Sequence, residues 1–252
     1  MEEKIKWGEM NRWQLEQRAE LIDTAILPLG SLEQHGPHLP LDTDRFDAEY
    51  IVEEAVERLD SPRPLILPTI PYGVSDHHMG FPGTVTVDSE TLQDLIVNIG
   101  RSVIQHGFRK LFVLTGHGGN EAAVKTTARK LKKETGLDVY IDSFDLMDPE
   151  KDELVESEND VHAGEFETSL VLAVREDLVD ERTIPEKEMD FPDPKLEFEH
   201  EPEFPFAWNT HDLTRTGVLG DAEKASKEKG EELWEAGIER LKERIEAVLD
   251  ID

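Results

Sequence analysis

Three short segments gather the residue types that hold metals and move protons. The first reads Gly30-Ser31-Leu32-Glu33-Gln34-His35-Gly36-Pro37-His38-Leu39-Pro40-Leu41-Asp42-Thr43-Asp44. Glu33 and His35 sit two apart, so in an extended stretch they point the same way, as two ligands of one cluster could. After the Gly36-Pro37 turn Asp44 can return to the same place, where its two oxygens could bridge two cations. A histidine and carboxylate set without Cys suits Zn²⁺, Mn²⁺ or Fe²⁺ rather than the all-oxygen preference of Ca²⁺. The plainer account is a polar loop whose His and Asp side chains satisfy turn backbone groups.

The second segment, Thr115-Gly116-His117-Gly118-Gly119-Asn120, follows the apolar run Lys110–Leu114. Its glycines allow close backbone approach, Asn120 can cap the next helix, and His117 at a strand end is a natural further ligand. Equally, it could be a glycine-rich anion loop with His117 incidental. The third, His162-Ala163-Gly164-Glu165-Phe166-Glu167-Thr168-Ser169, places a histidine ahead of two acids at the start of an apolar helix. Glu165 and Glu167 could simply partner the helix dipole. The functional alternative makes His162 a proton shuttle, since imidazole titrates near neutrality.

All three segments follow predicted strands, where parallel sheets place their sites. Apolar runs predict strands over Thr24–Leu29, Pro64–Pro68, Lys110–Thr115 and Leu137–Phe144. Amphipathic spacing predicts helices over Phe46–Leu59, Thr91–His106 (capped by Ser89), Asn120–Glu134, Glu165–Arg175 and Asp221–Leu249. This alternation predicts an α/β fold with a mostly parallel sheet covered on both faces. No repeat or domain boundary is visible, so residues 1–252 read as a single domain. The Pro- and acid-rich stretch Thr183–Pro205 reads as a long excursion, a lid or a subunit contact.

Composition narrows the partners. The 252 residues carry 57 Asp+Glu against 27 Lys+Arg, a formal charge of −30. Such a chain repels nucleic-acid phosphate and anionic membrane surfaces, so neither is an expected partner. Cysteine is absent, which removes disulfides and thiolate chemistry and fits a reducing cytoplasm. The N-terminus has no apolar signal core. Acids spread along the chain, densest over Asp145–Asp160, suggest a halophilic source in which salt screens the repulsion.

Taken together, the chain resembles the creatininase family (creatinine amidohydrolase and its relatives). The resemblance rests on GSLEQHGPHLPLDTD, on GVSDHHMGFPGT at Gly73–Thr84, on TGHGGN, on HAGEFETS, and on Gly217-Val218-Leu219-Gly220-Asp221. It implies an αβα layered fold, a homo-oligomer that is often a hexamer, and two divalent metal ions. By motif position, Glu33 and His117 would hold one metal and His35 the other, with Asp44 bridging. His162 would bind substrate and transfer a proton, with Ser75, His78 and Gly118 near the substrate. The implied reaction is hydrolysis of an amide C–N bond in a small molecule by metal-activated water. Glu165 or Glu167 would orient that water or complete the second metal shell.

Three departures qualify the resemblance. Creatininase proper has a glutamate ligand at the position of Gly119 and an acid at that of Val161, and its aromatic substrate lid has no clear match. The expected substrate is therefore creatinine or a related cyclic amide. The Gly-Gly form also resembles the archaeal formylaminopyrimidine nucleotide formamide hydrolase and the mycofactocin-precursor peptidase, although the full HAGEFETS sets the chain apart from the former. A non-catalytic metal or nucleotide-binding module would not need Glu33, His35, Asp44, His117 and His162 together.

Overall fold

Apolar runs with no polar face need cover on both sides, and the helices supply it. A computed structural model describes residues 3–144, 154–157, 159–193, 196 and 206–251. In chain order it runs α1 (Arg12–Ala19), β1 (Thr24–Leu29), α2 (Thr43–Glu57), β2 (Leu65–Ile66), α3 (Ser89–Gln105), β3 (Lys110–Thr115) and α4 (Glu121–Thr135). Then follow β4 (Asp138–Ser143), α5 (Glu165–Arg175), α6 (Thr210–Leu213) and α7 (Lys227–Leu249). The sheet has the order β2-β1-β3-β4, and every pairing is parallel.

Strand side chains alternate between the faces. Ile26, Phe112 and Leu114 pack with Ile51 and Val52 of α2, Leu170 of α5 and Trp234 of α7. Leu27, Leu111 and Val113 face the other way, onto Ile96 of α3 and Leu131 of α4. The result is the αβα sandwich expected from the sequence.

Several predicted boundaries move. The strand predicted over Pro64–Pro68 contracts to Leu65–Ile66, because neither proline can donate to the ladder. Asp88 rather than Ser89 caps α3, accepting from the Thr91 N–H at 2.7 Å. Asn120 does not cap α4. Its side chain instead accepts from Val74 N and donates to Gly30 O, tying three loops together. The last helix begins at Lys227, where Ser226 accepts from Lys229 N; a short 3₁₀ turn precedes it. Residues 194–195 and 197–205 of the predicted excursion, and 145–153 and 158 of the acid-rich run, lie outside the described residues.

Candidate metal centre

The carboxyl ends of β1 and β3 open onto one cleft, and four pieces of chain converge there. The loop after β1 brings Glu33 and His35, and the first turn of α2 brings Asp44. Gly116 makes that approach possible: a Cβ on it would lie 2.7 Å from the Asp44 carbonyl oxygen. His117 comes from the turn after β3. His162 and Glu167 come from the start of α5, where Asp160 accepts from the N–H groups of Glu165 and Phe166 at 2.8 and 2.9 Å. Two backbone hydrogen bonds pin His162 to Leu219.

Asp44 is the hub. His35 Nε2 lies 2.9 Å from its Oδ1, and His117 Nδ1 lies 3.2 Å from its Oδ2. Glu33 sits beside it, with His117 Nε2, His78 Nε2 and His162 Nδ1 at 3.3, 3.4 and 3.6 Å from its carboxylate oxygens. Three overlapping groups have donor atoms within 4.8 Å of one another: Glu33–His35–His162, Glu33–Asp44–His117 and His35–Asp44–Glu167.

The backbone fixes the tautomers. His35 Nδ1–H donates to Glu33 O at 3.2 Å, which leaves Nε2 as a ligand. His117 Nε2–H donates to Val74 O at 3.0 Å, which leaves Nδ1 beside Asp44. His162 Nε2–H donates to Gln34 O at 2.7 Å, so its Nδ1 lone pair is the one presented to the site.

These donors fit divalent cations. Both oxygens of Glu33, Nε2 of His35 and Oδ2 of Asp44 are buried without a well-formed hydrogen bond, an arrangement that costs free energy unless something positive sits among them. Burial pushes the Glu33 carboxyl up, although His117 pulls it down. Burial opposes charge on Asp44 as well, but His35 and His117 hold its carboxyl low. Burial, and then the charge that His35 carries when protonated, pushes His162 well down.

Not every predicted site residue reaches the cleft. His78 and Gly118 line a cavity of about 690 Å³ together with Glu33, Asp44, His117 and His162. Ser75 is not among the lining residues: it is fully buried, with Oγ 3.1 Å from His117 Nε2 and hydrogen-bonded to Ser31 Oγ at 2.5 Å. Glu165 does not line the cavity either. Its Oε2 accepts from Glu156 N and Ser157 N at 2.9 and 2.7 Å, and its Oε1 pairs with Lys229 of α7. It ties α5 to α7 and to the segment that precedes it. Glu167 does face the cleft.

The sequence reading missed His77, Phe206 and Trp208. The His77 ring lies parallel to His117, with centroids 5.8 Å apart, and meets Trp208 edge-on at 5.3 Å. His77 adjoins a residue that was singled out, so the histidine pair was itself a signal. Phe206 and Trp208 follow the predicted excursion and have no periodic or motif signature.

Comparison with known proteins bears on the family and the fold. Residues 8–245 match the family model described as Creatininase: creatinine amidohydrolase. The mycofactocin precursor peptide peptidase of Mycolicibacterium smegmatis is 32% identical over 89% of this chain and 85% of its own. Creatinine amidohydrolase of Pseudomonas putida is 28% identical over 97% of both chains. A formylaminopyrimidine nucleotide deformylase of Methanobrevibacter ruminantium is 32% identical over 59% of this chain and 58% of its own. A crystal structure of creatinine amidohydrolase superposes with a TM-score of 0.86 at 27% identity, covering 100% of both chains. A Zn–Zn form of a creatininase variant superposes at 0.83, with 26% identity over 99% of this chain and 100% of its own.

Proposed function

The chain belongs to the creatininase family of amidohydrolases, and from that premise we infer that it hydrolyses the C–N bond of a small amide at a centre of two divalent cations. The observation that carries the reading is Asp44, whose two oxygens are shared between His35 on one side and His117 on the other. Zn²⁺, Mn²⁺ and Fe²⁺ suit this donor set. When bound, the cations supply a water of lowered pKa and a Lewis acid for the amide carbonyl.

The chain's residues do the rest. Glu33 and His117 face one cation position and His35 the other, while Asp44 fixes the spacing. His162, neutral and held through Nε2, accepts a proton at Nδ1 and returns it to the leaving nitrogen. Phe206 and Trp208 wall the cavity and exclude water from the reacting atoms.

The described lining contains no Lys or Arg. A phosphate held away from the cations would have no cationic side chain to meet it, which favours an uncharged or cationic amide over a nucleotide. Cleavage of a peptide amide is a second reading, favoured by the similarity to the M. smegmatis peptidase over most of both chains.

The test is a screen of cyclic amides, formamides and short peptides in molar KCl, using protein loaded with Mn²⁺ or Zn²⁺ and analysed for bound metal. Two metals per chain and turnover of an amide support the reading. A chain that binds none under any condition overturns it.

A further inference from the structure

Three buried groups meet at one side of the cleft: the side chain of Gln34 and the rings of His78 and His162, whose centroids lie 4.2 Å apart. Their hydrogen bonds can be followed proton by proton, because most of the partners can only give or only take.

The Gln34 carboxamide has one workable orientation. Its Oε1 accepts from the Gly36 N–H at 3.0 Å, and its Nε2 donates to Gly217 O at 3.0 Å. Turning the amide over would set N–H against the Gly36 N–H and oxygen against the Gly217 carbonyl. Gly217 is part of the seat, since a Cβ there would collide with Oε1. One proton of Nε2 remains, with His78 Nδ1 at 2.9 Å and His162 Nε2 at 3.1 Å. His162 Nε2 carries its own proton, given to Gln34 O at 2.7 Å, so it cannot accept. His78 Nδ1 is the acceptor.

Thr210 does not upset this assignment, although its Oγ1 lies 3.0 Å from the same Nδ1. A hydroxyl gives or takes, and this one also has His77 O to donate to, at 3.1 Å. An amide N–H only gives. A proton on His78 Nδ1 would leave two N–H groups facing each other in a buried place, with that of Gln34 unpaired.

The proton of His78 therefore sits on Nε2. That atom lies 3.4 Å from Glu33 Oε1, which has no well-formed hydrogen bond, and the ring lines the cavity. His162 is the same tautomer turned end for end, with Nδ1 3.6 Å from the same oxygen. Adjacent rings thus offer the cleft opposite polarity, an N–H from His78 and a lone pair from His162.

We propose that Gln34 is a positioning residue that divides the work between these two histidines. Its side chain makes His78 a neutral hydrogen-bond donor to an oxygen of the bound amide. Its backbone carbonyl leaves His162 as the acceptor. The donor role rests on the amide reading above; the tautomers do not.

The experiment is solid-state NMR of the full chain, loaded with Zn²⁺ and labelled with ¹⁵N in its nine histidines, which tells a protonated ring nitrogen from a bare one. Loss of signals in His78→Gln and His162→Gln assigns the two rings. In the wild type both should carry a proton on Nε2 and none on Nδ1. Gln34→Met keeps the backbone carbonyl and the bulk but removes the amide. A proton should then appear on His78 Nδ1, donated to Thr210 Oγ1, while His162 stays as it was. Gln34→Glu should drive the same change, because a carboxylate only accepts, and it serves where the Met variant does not fold. With an amide that the wild type turns over, Gln34→Met should lower kcat/KM roughly tenfold at unchanged metal content, the loss of one hydrogen bond.

A wild type with a proton on His78 Nδ1, or variants in which that nitrogen stays bare, overturns the assignment. A moved proton with kcat/KM unchanged overturns the donor role. A wild type that turns over no amide defeats the amide reading instead, and the spectra still decide the tautomers.

Discussion

The imidazole of His162 is held from behind by the chain it serves: its Nε2–H donates to the carbonyl of Gln34, 2.7 Å away, between the proposed ligands Glu33 and His35. Gln34 also uses its side chain, whose amide lies 2.9 Å from His78 Nδ1 and 3.0 Å from Gly217 O. One residue of the ligand loop thus sets the direction of a ring that belongs to α5's approach. The role proposed for a ring so held is to carry a proton at Nδ1, which faces the cleft. His162→Ala should keep the metal content of the wild type while lowering kcat by roughly 10²–10⁴-fold. Elemental analysis beside turnover checks it. If the variant loses metal as readily as a Glu33 or His35 variant does, His162 is a ligand and the proton must travel by another route.

Asp44 predicts a different pattern. Replacing it by Asn removes a charge that both cation positions share in a buried cleft, so both should weaken together. Glu33→Gln or His117→Ala should mainly deplete one position and His35→Ala the other. Titration of each variant with Mn²⁺ against a chelator separates these outcomes. An Asp44→Asn protein that retains two tightly held metals would end the bridging assignment.

Much of this was legible in the sequence because it depended on local pattern. β1 and β3 fall where continuous apolar runs place them, and α5 spans Glu165–Arg175 as its periodicity predicts. The residues proposed as ligands stand in short motifs, and the structure brings their donor atoms together in one cleft. Other features required three dimensions. Glu165 and Glu167 look equivalent in the sequence, yet two residues along a helix turn by about 200°. One therefore faces the cleft while the other reaches Lys229 on α7. The family resemblance put Ser75 near the substrate, whereas its hydroxyl lies 3.1 Å from His117 Nε2 and its side chain is fully buried. Phe206 and Trp208 could not be read at all, since tertiary placement alone brings that segment over the site.

Ser75 then carries a prediction opposite to the one its motif suggests. Its hydroxyl contacts His117 and adjoins Ser31, within the buried support of the ligands. Ser75→Ala should weaken metal binding by roughly 10–100-fold, the usual cost of losing an outer hydrogen-bond partner. With saturating metal, KM for the amide should be unchanged. A raised KM at full metal occupancy would return Ser75 to the substrate.

Trp208 should show the reverse separation. Its ring meets His77 edge-on and walls the cavity. Trp208→Ala removes a large apolar contact made equally in the ground and transition states, so KM should rise about tenfold with kcat nearly constant. Metal content should not change. A fall in kcat with KM unmoved would mean that the ring acts on the reacting atoms instead.

The final prediction concerns the charge surrounding the whole site. A formal charge of −30 leaves carboxylates repelling one another across every exposed face, and few cations offset them. The ion pairs that form are mostly exposed, such as Lys132–Asp138 and Arg58–Glu235, and pairs of that kind contribute about 0–1 kcal/mol each. They cannot cancel the excess. Salt can, because at molar ionic strength the Debye length falls to about 3 Å, below the spacing of most surface carboxylates. Unfolding spreads the charges apart, so screening favours the compact state more than the unfolded one. The melting temperature should therefore climb steadily between low and molar KCl, by roughly 2–4 °C for each 1 kcal/mol recovered in a chain of this size. Differential scanning calorimetry on metal-free protein gives the curve without interference from cation binding at the cleft. A flat or falling curve would remove the argument for a saline origin and leave the acidity as ordinary surface composition.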